Sequence, residues 1–228
     1  MNKRTVLVFV LICAASSCVF AQTADEDILI ELMRASKAAE ESARDRPLRK
    51  ITKTDDLEKG KIIKSITQIF EYLPSGGHRY LTTEKIGKKE TSYEFIYLRG
   101  VKYHRTNSEP WIKGDYPKGN KAYDETVVAV NIFSEKYTEE LTFLDGKAAR
   151  KFCIFRVVKR NDAPQSEGLS FSNSIIWFDT KSSLHIKTER TEGLLEPRVE
   201  KRRRVTTYEY DANIKIESPI AEVYNPMM

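Results

Sequence analysis

Three histidines and one cysteine are the side chains of this sequence best suited to catalysis or metal binding. His78, His104 and His185 stand far apart, without the short spacing of a metal motif or a neighbouring carboxylate motif. Scattered histidines of this kind are typical of a protein surface. Cys153 stands in an apolar run, which favours a core position over a nucleophile. The sequence therefore predicts no catalytic site, no metal site and no cofactor.

A basic run near the end of the chain is the other concentration of reactive side chains. It contains Arg198, Lys201, Arg202, Arg203 and Arg204. Strand alternation would place Arg202 and Arg204 on one face, with Lys201 and Arg203 on the other. Such a run is typical of a sheet edge that resists aggregation. The functional alternative is contact with anionic lipid headgroups or with a partner protein.

Residues 1–21 have the pattern of an export signal. Lys3 and Arg4 precede an apolar run from Val6 to Phe20, and Ala21 closes the segment with a small residue. The run of about 15 residues is shorter than the roughly 20 that span a bilayer. The sequence therefore predicts an exported, periplasmic protein with no integral membrane segment after signal cleavage.

Lipid anchoring through Cys18 is a less favoured alternative to simple cleavage. Small residues at Ala15, Ser16 and Ser17 precede this cysteine, as lipoprotein processing requires. The Leu that usually occupies the position of Ala15 is missing, so cleavage after Ala21 remains the prediction.

Residues 22–228 are of a length and composition that predict a single domain. Loss of Lys3 and Arg4 lowers the net charge from +5 to +3, which is too mild to indicate a nucleic-acid partner. Only Cys153 remains after signal cleavage, so an intramolecular disulfide is excluded.

One convincing helix is predicted from Asp25 to Arg46. Acidic residues favour its start, and Pro47 ends it. Apolar residues recur along it at helical spacing and predict a buried stripe of Ile28, Leu32, Ala35 and Ala39.

Consecutive antiparallel strands are predicted after a charged linker at Lys50 to Lys59. Lys61 to Leu73 also fits a helical repeat, but its Ile and Thr content and the turn that follows favour a strand. Gly114 to Ser134 has no clean period and is predicted as a loop or short helix over an apolar surface. The further predicted strands are His78 to Ile86, Glu90 to Leu98, Val101 to Thr106, Trp111-Ile112, Tyr137 to Leu144, Ala149 to Lys159, Ser174 to Asp179, Leu184 to Glu192 and Arg198 to Tyr210.

Four blocks between Ile62 and Pro219 resemble the LolA-like superfamily of periplasmic lipoprotein carriers and lipid-binding lipoproteins. They are Gly100-Val101-Lys102-Tyr103 followed by Trp111, Leu144-Asp145-Gly146-Lys147 running into Phe152-Cys153-Ile154-Phe155, Ile176-Trp177-Phe178-Asp179 with Leu184-His185-Ile186-Lys187, and Tyr208 to Pro219. The resemblance implies a mainly β fold with a long N-terminal helix. Its curved, unclosed antiparallel half-barrel would hold acyl chains on a concave face partly covered by helix and lid segments. The Arg that latches the lid of lipoprotein carriers cannot be placed on any residue here.

The strands themselves support an apolar site, because several carry apolar residues on both faces and need cover on each. An acyl chain would supply that cover, and a core filled by the protein's own side chains is the alternative. Strand parity and size select ten candidate ligand contacts: Phe70, Tyr93, Phe95, Tyr97, Tyr103, Trp111, Phe133, Phe155, Trp177 and Phe178.

The predicted function is therefore an exported carrier or sensor that binds lipid or lipoprotein acyl chains in an apolar concavity, without covalent catalysis. The alternative is an envelope structural or regulatory module with a filled core, which would bind a partner protein through its surface or a sheet edge.

Overall fold

A computed structural model describes residues 25–114, 130–160 and 168–220. The predicted signal segment and the greater part of the predicted loop or short helix between Gly114 and Ser134 lie outside these ranges.

The helix predicted near the N-terminus is present and is called α1 (residues 25–43). It ends three residues earlier than predicted, because the Arg46 amide donates to the Ala43 carbonyl in a turn ahead of Pro47. Leu32, Ala35 and Ala39 are buried, which confirms the central part of the predicted stripe.

Eleven strands follow α1 within the described ranges. They are β1 Leu48–Glu58, β2 Lys61–Leu73, β3 Gly77–Ile86, β4 Lys89–Leu98, β5 Val101–Thr106, β6 Ile112–Lys113, β7 Val130–Leu144, β8 Lys147–Arg160, β9 Ser170–Asp179, β10 His185–Leu194 and β11 Val199–Tyr210.

All eleven strands form one antiparallel sheet, in the order β6-β5-β4-β3-β2-β1-β11-β10-β9-β8-β7. The sheet does not close, since β6 and β7 do not pair with each other. This is the open half-barrel with an N-terminal helix that the sequence predicts. The chain forms two meanders, and the pairing of β1 with β11 joins them at the centre.

The prediction of a charged linker at Lys50 to Lys59 is wrong, because β1 is a central strand. Two of its carboxylates have partners on neighbouring strands: Ser65 Oγ donates a hydrogen bond to Asp55 at 2.5 Å, and Arg202 Nε forms an ion pair with Asp56 at 2.6 Å. Charged residues are therefore tolerated in the middle of this sheet.

The interpretation of Arg198 to Arg204 as part of an edge strand is also wrong. β11 lies between β1 and β10, so its basic side chains meet the side chains of two neighbouring strands. Strand β7 is an edge instead, and it starts at Val130. The segment Val130 to Ser134, which was predicted as loop or helix, therefore belongs to a strand.

Candidate ligand-binding site

Cross-strand register divides the side chains of the sheet between two faces, because directly paired residues point to the same side. Phe152 and Phe178 lie on the face that packs against α1, which we call the helix face. Paired positions, followed from strand to strand, then assign the other residues to the helix face or to the opposite face.

The ten predicted ligand contacts do not all lie together. Those on the helix face are Phe70, Tyr93, Phe95, Tyr97 and Phe178. Those on the opposite face are Tyr103, Phe155 and Trp177, and Trp111 packs beside Tyr103. Phe133 sits at a register shift in the edge strand β7 and is 60% exposed. Local alternation cannot separate these sets, since both faces of the sheet bear aromatic residues.

Four rings on β2, β3 and β4 form an aromatic cluster on the helix face. The His78 ring centroid lies 4.9 Å from that of Tyr97, 5.9 Å from that of Phe95 and 6.3 Å from that of Phe70. All four side chains are only half-buried, and none belongs to either apolar core cluster of the described residues. The cluster is a partly exposed aromatic surface on the helix face.

Helix α1 packs on a different part of the helix face. Its Leu32, Ala35 and Ala39 pack on Phe152 and Phe178, and its Glu31 carboxylate accepts a hydrogen bond from Arg150 at 2.9 Å. These contacts are with strands β8 and β9, on the far side of β1 and β11 from the aromatic cluster.

Short hydroxyl side chains line the centre of the helix face. Thr52, Thr54, Thr82 and Thr206 are all buried, and the Oγ1 atoms of Thr52 and Thr206 are hydrogen-bonded at 3.0 Å. Thr82 Oγ1 has no hydrogen-bond partner among the described residues. A buried hydroxyl without a partner is costly, so this atom is a candidate for contact with a polar group of a ligand.

His185 lies in a second aromatic group on the helix face. Its ring centroid is 5.0 Å from that of Phe178 and 4.1 Å from that of Tyr208, and its Nε2 is 2.7 Å from Thr188 Oγ1. Burial lowers the pKa of His185 to about 4, so the ring is neutral at pH 7. Burial raises the pKa of Tyr210 to about 12.

The prediction that the three histidines lie on the surface is wrong. His104 is buried, and His78 and His185 are half-buried against aromatic rings. Burial also lowers the pKa of His78. A neutral imidazole stacks on aromatic neighbours without a large desolvation cost, which explains these positions.

We expect acid to destabilise the fold through His185. Its pKa is about 4 in the folded state against 6.5 for the free side chain, so the unfolded chain binds more protons between these values. Stability should fall as the pH is lowered through this window. Urea unfolding at pH 7 and pH 5 should show a loss on the order of 1–2 kcal/mol that His185→Gln lacks. If stability had the same pH dependence in the wild type and in His185→Gln, burial of a neutral His185 would not be the cause of the acid sensitivity.

The basic run predicted to contact headgroups or a partner is divided by the sheet. Arg202 and Arg204 lie on the helix face, where Arg204 Nε donates to Thr54 Oγ1 at 3.3 Å. Arg203 pairs with Glu200 at 2.9 Å. Arg198 lies over the ring of Phe171, 5.1 Å from its centroid.

An ion-pair ladder crosses the opposite face and was not predicted. Arg49 Nε donates to Glu71 at 2.8 Å, while Glu94 accepts from Arg79 Nε at 2.6 Å and from Arg105 Nε at 2.8 Å. Glu71 and Glu94 are buried, so these pairs satisfy carboxylates that would otherwise be costly. Some ion pairs of the ladder link residues far apart in the chain: Arg49 and Glu209 are 160 positions apart. Spacing in the sequence therefore cannot predict which residues pair.

The C-terminal segment covers one end of the opposite face. Ile214 and Ile216 pack on Ile96 and Tyr103, and Ser218 Oγ lies 3.1 Å from the Tyr103 hydroxyl oxygen. Tyr103 and Trp111 thus lie in a core cluster. Beside this cluster is a depression of about 300 Å³, lined by Arg49, Ile51, Ile69, Glu71, Arg79 and Leu81.

Across residues 25–114, 130–160 and 168–220, no three His, Cys, Asp or Glu side chains are grouped to hold a metal ion. Within the same ranges, no helix is both long and apolar enough to cross a membrane. Cys153 is a free thiol on the opposite face and is half-buried.

No family model and no curated protein matches this sequence. Among solved structures, the chain is similar to LprF from Mycobacterium bovis, with 13% identity and a TM-score of 0.46 over 83% of this chain and 97% of that chain. It is also similar to a putative outer membrane lipoprotein-sorting protein domain from Vibrio parahaemolyticus, with 9% identity and a TM-score of 0.26 over 78% and 93%.

Proposed function

We propose that this protein is an exported, periplasmic carrier or sensor that binds an acylated ligand on the helix face of its half-barrel, without covalent catalysis. The ligand would be a lipid or the acyl chains of a lipoprotein. The observation that carries the proposal is the aromatic cluster of Phe70, His78, Phe95 and Tyr97, which α1 and the C-terminal segment leave outside both core clusters.

Acyl chains suit this cluster for two reasons. Each methylene that leaves water for contact with the rings contributes about 0.8 kcal/mol. The buried Thr82 Oγ1 is near the rings. Thr82 pairs with Tyr93, and the next pair on the same face is Tyr80 with Phe95. An ester or amide carbonyl at the head of the chain would accept a hydrogen bond from this hydroxyl.

The sequence offers a matched pair of variants to test the site. Phe95 and Phe155 are both half-buried strand residues, but Phe95 lies on the helix face and Phe155 on the opposite face. Phe95→Ser should weaken the binding of a fluorescent long-chain fatty acid and of a diacylated lipopeptide by about tenfold or more. Phe155→Ser should change the affinity by less than about twofold.

Both variants would first be compared by thermal unfolding, so that binding is measured only on folded protein. Equal affinities in two folded variants would reject the helix face as the site. An affinity lost in Phe155→Ser alone would move the site to the opposite face.

A protein-interaction module is the second candidate, and the edge strand β7 favours it. Leu141 and Phe143 on this strand are 79% and 75% exposed, and an edge strand has free backbone groups that a partner strand could pair with. Under this proposal, Leu141→Ser with Phe143→Ser would abolish capture of an envelope protein and leave acyl binding unchanged.

A further inference from the structure

Two neighbouring hairpins present their turns at the same end of the sheet. Lys59 and Gly60 join β1 to β2, and Gly87 and Lys88 join β3 to β4. The turns are adjacent because β2 pairs with β3 as far as Lys64 and Ile86. We call residues 58–64 and 84–90 the basic tips.

The first tip projects beyond the second. Residues 61–63 of β2 continue past the last pair with β3, a distance of about 10 Å at the rise of an extended strand. A register shift between Asp56 and Leu57 leaves Ile63 without a paired residue on β1. The regular alternation of side chains between the two faces is therefore interrupted at this point.

Three isoleucines are exposed on the basic tips. Ile62 is 58% exposed, Ile63 is 49% exposed and Ile86 is 53% exposed. They flank two-residue turns: Lys59 and Gly60 have φ values of 50° and 76°, as a tight hairpin turn requires, and Gly87 has a φ of 59°. The isoleucines are therefore apolar side chains in contact with water beside the hairpin turns.

Lysines surround these isoleucines. The exposed ones are Lys59, Lys61, Lys85, Lys88 and Lys89, and none of them is ion-paired within the described part of the chain. Lys64 is paired with Glu84, so the opposing acids on the tips are Glu58 and Glu90. The basic tips therefore carry a clear positive excess, whereas the protein as a whole is only mildly basic.

We propose that the basic tips dock the protein onto the surface of an anionic lipid membrane. Lysines attract anionic headgroups, and exposed aliphatic side chains between them reach the boundary between headgroups and acyl chains. Each feature alone is common on protein surfaces, but exposed isoleucines on a projecting hairpin, next to exposed lysines, match both the acyl boundary and the anionic headgroups of a membrane surface. The charge complementarity selects a membrane over an apolar protein groove.

This docking surface is distinct from the aromatic cluster. The rings of Phe70, Phe95 and Tyr97 lie in the body of the helix face, while the isoleucines lie at the ends of hairpins. The two proposals can therefore fail independently.

Sedimentation with lipid vesicles tests the inference on residues 22–228, the predicted mature chain. The probes are vesicles of phosphatidylcholine with and without phosphatidylglycerol. The wild type should bind only the anionic vesicles, and added salt should weaken binding. Lys88→Gln with Lys89→Gln, and separately Ile62→Ser with Ile63→Ser, should each lower the partition coefficient on the order of tenfold.

Leu141→Ser with Phe143→Ser is the matched control, because it removes two apolar side chains from the β7 edge that are even more exposed than Ile62 and Ile63. It should bind vesicles like the wild type. Unchanged binding in both tip variants would overturn the inference, as would equal affinity for neutral and anionic vesicles. Absence of binding to either vesicle would also overturn it and point to a protein partner. Fatty-acid uptake by the tip variants should stay at the wild-type level, which separates this result from the proposed function.

Discussion

Phe152→Ala should destabilise the protein by about 3–5 kcal/mol. Phe152 is 1% exposed, and its ring meets that of Phe178 edge-on, with centroids 5.9 Å apart. It also packs on Leu32 and Ala35 of α1 in the larger apolar cluster. Truncation would leave a cavity between helix and sheet, where the backbone cannot easily collapse. Chemical denaturation followed by circular dichroism measures the loss.

Phe143→Ala is the control for this prediction. Phe143 is a phenylalanine of the neighbouring strand β7, but it is 75% exposed. Its truncation should cost less than about 0.5 kcal/mol. Comparable losses in the two variants would contradict the position of α1 on the helix face.

Gly193→Ala should be about as damaging, with a loss of about 3 kcal/mol or more. A Cβ at this position would lie 2.0 Å from the Val199 carbonyl oxygen and 3.0 Å from the Glu200 Cα. Both atoms belong to the backbone of β11, and the register shift between Glu192 and Gly193 brings them close. A methyl group would therefore force β10 and β11 apart next to the hairpin turn that joins them.

Gly168→Ala provides the matching control, since a Cβ there would meet nothing within 4 Å and its φ is not positive. Its melting temperature should equal that of the wild type. If Gly193→Ala also melted like the wild type, the close approach of the β11 backbone to Gly193 would be contradicted.

Local signals account for the part of the fold that the sequence predicts. Asp145 and Gly146 adopt positive φ values of 50° and 77°, as the predicted tight hairpin between β7 and β8 requires. Lys61–Leu73 fits both a helical and a strand pattern, and its Ile and Thr content correctly predicts the strand β2. Strand β1 was missed because its charges look like those of a linker. Their partners, such as Arg202, lie far away in sequence.

The candidate site is less predictable from sequence than the fold. Which face of the sheet a residue lies on depends on the pairing of every strand between it and α1. Phe95 and Phe155 look alike in sequence, and only the chain of pairings from β4 to β8 places them on opposite faces. The burial of His185 depends on Phe178 and Tyr208, which come from two other strands. No spacing rule reaches across such separations.

The most direct test of acyl binding is native mass spectrometry, with lipid extraction, of the protein purified from the cell envelope of its expression host. Our account predicts a co-purifying acyl lipid, bound one to one, whose occupancy falls in Phe95→Ser and persists in Phe155→Ser. A ligand-free mass that remains unchanged after incubation with lipids would contradict the account.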